Sequence, residues 1–117
     1  MTSLVASIGD DQASWGQIRR LIKEQEWEHV YLIGGEGAKS FTADRSFDLM
    51  LIDQKKPVKD LILEIDGHLS GKLSFTDVGV NLVSGSGKEH MAILAALLKL
   101  GVGIRLVAIT KEGFVEL

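Results

Sequence analysis

Residues 78 to 91 read Val78-Gly79-Val80-Asn81-Leu82-Val83-Ser84-Gly85-Ser86-Gly87-Lys88-Glu89-His90-Met91. An apolar run breaks here into small residues and then restarts, which predicts a strand over 78–83, a loop and a helix. Ser86 followed three residues later by Glu89 has the form of a capping box, so the helix should begin near Gly87. A small-residue loop at a helix N-terminus offers unpaired amides and the positive end of the helix dipole. The stretch therefore predicts an anion site, most simply for phosphate.

Composition and charge limit the classes of protein that this chain can belong to. With 117 residues, 45% apolar and 25% charged, the chain fits a single folded domain over residues 1–117. The net charge of -3 argues against binding to long duplex nucleic acid, which needs a cationic face. Cysteine is absent, no signal peptide precedes Asp10, and the longest apolar stretch, from Met91 to Leu98, is too short to span a bilayer. We expect a cytoplasmic protein that does not bind membranes.

Strand and helix patterns alternate along the whole chain. Apolar runs predict strands over 3–8, 29–33, 49–52, 78–83 and 104–109, with a short antiparallel edge strand over 114–117. Periodic segments predict helices from a capping box at Ser14 and Gln17 to Gln25, from Pro57 to Gly67, and from Gly87 to Leu100. Residues 38–46 fit either a short helix or a loop packed on the sheet. The pattern predicts a Rossmann-like, doubly wound α/β fold with a mainly parallel five-stranded sheet and helices on both faces.

In such folds the first and fourth strands lie side by side, and ligands bind at the carboxyl ends of the strands where the chain connections diverge. The loops that meet there follow residues 8, 33 and 83. The candidate ligand-binding residues in these loops are Gly9, Asp10, Gly34, Ser84, Gly85, Ser86, Gly87 and Lys88, with His90 in the following helical turn.

The loop from Ser84 to Lys88, which we call the glycine loop, has two interpretations: a cradle for phosphate or nucleotide, or a tight turn whose glycines serve only backbone geometry. A Walker A motif is excluded, because Leu82 and Glu89 stand where that motif needs glycine and a hydroxyl residue. Lys88 lies in the first helical turn, where a cation opposes the helix dipole. Either it binds a ligand, or it is an exposed lysine that slightly destabilises the helix. His90 could donate a hydrogen bond to the ligand or be an ordinary, partly buried residue.

The acidic and imidazole side chains give no metal or cofactor motif. Asp10 and Asp11 could bind a ribose hydroxyl or a metal, but capping of the following helix is the favoured interpretation. The three histidines, His29, His68 and His90, lack the spacing of a metal site. We therefore expect no metal and no cofactor.

The helix after the glycine loop is apolar on nearly every side. Met91, Ile93, Leu94, Leu97, Leu98 and Leu100, together with alanines, leave little polar surface. Such a helix must be shielded from solvent on two opposite sides. The sheet can cover one side, and a second copy of the chain can cover the other, so we predict a homodimer through this region. The alternative is a thick core formed with the preceding helix or the C-terminal strand.

The stretch Val80 to Lys88, followed by a helix rich in alanine and leucine, resembles CARF domains, the Rossmann-like sensors associated with CRISPR systems. Ser7-Ile8-Gly9 and Tyr31-Leu32-Ile33-Gly34 are similar to the ends of the first two strands in that family. The resemblance implies a homodimer that binds cyclic oligoadenylate across its two-fold axis.

The same resemblance implies that Asn81, Gly85, Ser86 and Lys88 contact the nucleotide. Some members of the family are metal-independent ring nucleases, and in such an enzyme Lys88 would be the catalytic residue that stabilises charge on the phosphate. Two alternatives remain: a non-catalytic assembly module on the same fold, and a small enzyme acting on a mononucleotide or sugar phosphate.

Overall fold

Strand and helix alternate along the computed structural model, which describes residues 2–73 and 77–117. The strands are β1 (Ser3–Ile8), β2 (Val30–Gly34), β3 (Asp48–Leu51), β4 (Asp77–Asn81), β5 (Gly103–Thr110) and β6 (Gly113–Glu116). The α-helices are α1 (Trp15–Glu24), α2 (Val58–Leu69) and α3 (Gly87–Leu100). Short 3₁₀ helices cover Gln12–Ser14 and Glu36–Ser40.

The strands form one mainly parallel sheet of six strands in the order β3-β2-β1-β4-β5-β6. β1 pairs in parallel with β2 on one side and with β4 on the other, where Leu4 faces Gly79 and Ala6 faces Asn81. The predicted adjacency of the first and fourth strands is confirmed. β6 is antiparallel to β5 and forms the edge, as predicted for the C-terminal residues. The α/β class with a mainly parallel sheet is therefore confirmed.

Two apolar clusters make up the core, and consecutive residues of β1 belong to different clusters. Leu4 and Ala6 pack with the apolar side of α1, whereas Val5 packs with α2 and α3. Successive side chains of a strand point to opposite faces of the sheet, so β1 is buried on both. This explains why β1 is continuously apolar rather than alternating.

The start of α1 differs from the prediction. Ser14 was expected to cap the helix in a box with Gln17, but it has helical dihedral angles and makes no side-chain cap bond. Asp11 instead accepts a hydrogen bond from the N–H of Ala13 at 3.0 Å and caps the preceding 3₁₀ helix. The Ser14–Gln17 capping box is wrong because a 3₁₀ turn already supplies the helix start, and the Ser14 hydroxyl is used elsewhere.

The ambiguous region 38–46 combines both predicted possibilities. A 3₁₀ helix ends at Ser40, and an irregular segment then leads to β3. Phe41 is buried, with its ring centroid 5.6 Å from that of Trp15 and 5.5 Å from that of Phe47. This aromatic cluster holds the segment against α1.

None of the helices in the described part of the chain combines the length and apolarity that crossing a bilayer requires.

Gly79 offers a test of how tightly β4 packs. A Cβ atom at this position would lie 2.8 Å from Cη2 of Trp27 and 2.9 Å from its Cζ3. We predict that Gly79→Ala lowers the free energy of unfolding by about 1–3 kcal/mol, because the buried indole must move. Urea denaturation measures this change.

The matched control is Gly67→Ala in α2, where an added Cβ meets nothing within 4 Å. That variant should gain about 0.5–1 kcal/mol, since alanine favours a helix over glycine. Equal effects of the two substitutions would contradict the packing described for β4.

Candidate functional site

Ser84 joins the loops at the carboxyl ends of β1 and β4. Its buried hydroxyl oxygen accepts a hydrogen bond from the N–H of Gly9 at 2.7 Å and lies 2.6 Å from the hydroxyl oxygen of Ser14. Ser14 donates its own proton to the carbonyl of Asp11 at 2.8 Å. A hydroxyl has one proton, so Ser84 is the donor to Ser14. The Ser84 hydroxyl, which was predicted to contact a ligand, therefore accepts one hydrogen bond and donates another within the protein.

The carbonyl of Ser84 is also engaged. It accepts a hydrogen bond from the hydroxyl of Ser7 and lies 2.8 Å from Nε2 of His90. A carbonyl can only accept, so His90 carries its proton on Nε2 when this bond forms. His90 thus ties the first turn of α3 back to the glycine loop, and this nitrogen is not free to act on a ligand.

Glycine is needed in these loops for close backbone approach. A Cβ on Gly9 would lie 2.7 Å from the backbone nitrogen of Gly85, which itself has a φ of +95°. A Cβ on Gly34 would overlap the carbonyl oxygen of Ile8 and lie 3.0 Å from Cβ of Ala38. Backbone geometry alone accounts for glycine at these three candidate positions.

The N-terminus of α3 has the predicted capping box. The N–H of Glu89 donates to the Ser86 hydroxyl at 3.4 Å, and the N–H of Ser86 donates to Oε1 of Glu89 at 3.3 Å. The predicted helix start at Gly87 is confirmed. Gly85, Ser86, Gly87 and Lys88 are exposed at this edge of the sheet. The capping box leaves the N–H groups of Gly87 and Lys88 as the first-turn donors for a ligand.

Glu89 does more than cap the helix. Its side chain is 1% exposed, and its second oxygen, Oε2, accepts a hydrogen bond from Nε2 of Gln54 at 3.1 Å. Gln54 lies in the loop after β3, so this buried carboxylate joins two of the loops at the carboxyl ends of the strands. We call this end of the sheet the carboxyl edge. Two donors and the positive end of the α3 dipole compensate its charge.

Lys88 contacts the same residue. Its Nζ donates to the backbone carbonyl of Gln54 at 3.0 Å. The lysine that was expected to indicate a ligand therefore has an internal partner, although an ammonium group carries three donors and this bond uses one. Sequence reasoning missed Gln54, because a lone glutamine in a polar loop carries no signal until the sheet order brings it beside α3.

Asn81 ends β4. Its Nδ2 donates to the carbonyl of Val107 at 2.8 Å, and its Oδ1 accepts from the N–H of Val83 at 3.1 Å. The side chain turns the backbone out of the sheet, which is why the strand stops at Asn81 rather than at Val83.

Asp10 is exposed beside Gly37, where an added Cβ would overlap its carboxylate. Of the candidate residues, Asn81 and Ser84 are buried and His90 is partly buried, whereas Asp10 and the 85–88 segment face solvent.

Within residues 2–73 and 77–117, no group of three or more His, Asp or Glu side chains is placed to hold a metal ion. No protein-family model matches the chain, and no curated protein matches its sequence. The site therefore has to be interpreted from its own geometry.

Ser84→Ala tests the network of the carboxyl edge. Loss of the hydroxyl leaves the buried N–H of Gly9 without its acceptor, so we expect the free energy of unfolding to fall by about 1–3 kcal/mol. Thermal or urea unfolding measures this. Ser46→Ala, at an exposed serine, is the control and should stay within about 0.5 kcal/mol of the wild type. A Ser84 variant as stable as this control would contradict the role assigned to the hydroxyl.

Proposed function

We propose that this chain is a homodimeric, nucleotide-sensing domain of the kind that CARF domains represent, built on a Rossmann-like, doubly wound fold. The observation that carries the proposal is an uncovered apolar stripe on α3, the helix that begins directly at the glycine loop. Support for helices on both faces comes from the two core clusters, one with α1 and one with α2 and α3.

The stripe runs along the outer side of α3. Ala92, Ile93, Ala96 and Leu97 are buried against the sheet and α2. The opposite side carries Met91, Leu94, Ala95 and Leu98 at spacings of three and four, which places them on one helical face. Met91 is 67% exposed and Leu98 is 68% exposed. Cover of this face by α2, which was the alternative to a dimer, is thus incomplete, and this favours a second copy.

The edge of the sheet on the same side is also apolar. Ile104 packs against the cluster that contains α3, and Leu106 follows it two residues later on the same face of β5. Leu106 is 45% exposed, and Leu117, whose N–H donates to the carbonyl of Leu106 at 2.8 Å, is 77% exposed. A two-fold interface needs one self-complementary patch, and this apolar surface supplies one.

A dimer through α3 explains how the loops could share one ligand. Because α3 starts at Gly87, an interface along its outer face brings the two glycine loops together when the two-fold axis runs roughly parallel to α3. A cyclic oligoadenylate with an even number of nucleotides has the matching two-fold symmetry. Its phosphates would accept hydrogen bonds from the N–H groups of Gly87 and Lys88 and from the Lys88 ammonium group.

A second candidate function is a non-catalytic homo-oligomeric assembly module. The internal bonds of Asn81, Ser84 and His90 favour it, since they explain these residues without a ligand. Asn81 and Lys88 are also seven positions apart, one more than the corresponding Asn and Lys of the CARF signature. Both candidates need the dimer, and they differ in whether the 85–88 segment binds a nucleotide.

Leu98→Glu tests the dimer. A carboxylate in the centre of an apolar interface would be desolvated, so we expect the variant to sediment as a monomer where the wild type sediments as a dimer. Analytical ultracentrifugation gives this readout. Leu63→Glu is the control, because Leu63 on α2 is 65% exposed but lies outside the stripe. A monomeric wild type, or equal effects of the two variants, would contradict the interface.

Lys88→Ala tests nucleotide binding. Loss of one charge-assisted contact to phosphate should weaken binding of cyclic tetra- or hexaadenylate by about tenfold or more. Lys59→Ala, at an exposed lysine of α2, should bind as the wild type does. Isothermal titration calorimetry measures affinity, and chromatography of the nucleotide afterwards shows whether the ring is opened. Absence of binding by a dimeric wild type would favour the assembly module.

A further inference from the structure

A groove with a positive lining opens at the other end of the sheet. It lies between the C-terminal half of α1, the segment that leads into β2, and residues 42–45 before β3. Its volume is about 810 Å³. We call it the basic groove, and its main lining residues are Arg19, Arg20, Ile22, Lys23, Trp27 and Arg45. Because it adjoins the amino ends of β2 and β3, it is distinct from the loops at the carboxyl edge.

Two of the three arginines that line this groove are hydrogen-bonded to neutral groups. Nε of Arg19 donates to the carbonyl of Thr42 at 2.8 Å, and its guanidinium carbon lies 5.1 Å from the ring centroid of Phe41. A terminal nitrogen of Arg45 donates to the carbonyl of Trp27 at 2.7 Å. These contacts fix the two guanidinium groups in place without neutralising them.

Carboxylates compensate only part of the charge in the basic groove. Arg20 pairs with Glu24 at 2.8 Å. Among the ion pairs of residues 2–73 and 77–117, none involves Arg19, Lys23 or Arg45. The lining also includes the carboxylates Glu26 and Asp44, so three cations without an ion-pair partner among the described residues face two carboxylates. In a chain with a net charge of -3, the basic groove thus keeps a small excess of positive charge.

Structural roles account for part of this arrangement. Lys23 lies in the last turn of α1, where a cation is favourable, and Arg19 and Arg45 hold the segment before β3. Each of these arginine contacts uses one of the five donors of a guanidinium group. A neutral donor could make the same bond to a carbonyl without bringing a charge to a half-buried position such as that of Arg45. The excess charge therefore points to an anionic ligand.

We infer that the basic groove binds a small organic polyphosphate. Forked guanidinium donors match the oxygens of phosphate, and two of the guanidinium groups are already positioned by a hydrogen bond to a backbone carbonyl. The volume is that of a site for an organic molecule, which is typically about 300–1,000 Å³, and is larger than one phosphate needs. Ile22 and Trp27 provide an apolar floor for the organic part of such a ligand. This site does not depend on the nucleotide site proposed at the carboxyl edge.

Calorimetric titration of the full chain with tripolyphosphate and with adenosine triphosphate, at low and at moderate salt, tests the inference. Both should bind saturably and more weakly at higher salt, and adenosine triphosphate should bind more tightly because its base contacts the apolar floor. Lys23→Gln should weaken binding by about fivefold or more. Its control is Lys59→Gln, which removes the same charge from an exposed site on α2 and should change affinity little.

NMR titration then locates the ligand. Saturable shifts of the amides of residues 42–45 and of the Arg45 side chain would support the basic groove. Shifts confined to residues 85–88 would overturn the inference, because they would place the polyphosphate at the carboxyl edge. The absence of saturable binding, or equal losses in the Lys23 and Lys59 variants, would overturn it too. Equal affinity for the two probes would overturn the assignment of an organic ligand.

Discussion

The hydrogen bonds of Ser84 hold together the loops that follow β1 and β4 at the carboxyl ends of the two strands. β1 and β4 are neighbours, and the chain leaves them towards opposite edges of the sheet, so nothing in the sheet ladder joins the loops beyond their ends. The hydroxyl and carbonyl of Ser84 make that connection, through the N–H of Gly9 and the side chains of Ser7 and His90. Buried groups of this kind must be satisfied, which fixes both the loop and the position of α3.

Sequence patterns predicted the fold well where a single periodicity decided it. The doubly buried β1, the edge hairpin at the C-terminus and the capping box of α3 all follow from local residue order. The Ser14 cap was wrong because the same hydroxyl had a better long-range partner in Ser84, seventy residues away. Propensity rules describe local competition, and they cannot include a hydrogen-bond partner that the folded topology brings from a distant part of the chain.

The candidate site was harder to predict than the fold for the same reason. Small polar residues after a strand indicate a binding loop equally well whether their groups face a ligand or one another. Position showed that Ser84 and His90 would lie near the carboxyl ends of β1 and β4, but their partners come from β1, the segment after it and α3, which only the folded structure brings together. Gln54 illustrates the limit, because it contacts both Lys88 and Glu89 and yet has no distinguishing pattern in the sequence.

The internal bonds of the carboxyl edge bear on what kind of site it can be. A loop already fixed by Ser84, Asn81 and Glu89 loses little conformational entropy when a ligand binds, so its few exposed donors are preorganised. A small number of donors in one protomer is nevertheless a weak site on its own. Two copies related by the α3 surface would double those donors around one ligand, and the apolar face would then both drive association and complete the site. Dimerisation and ligand binding would in that case be coupled, since each stabilises the arrangement that the other needs.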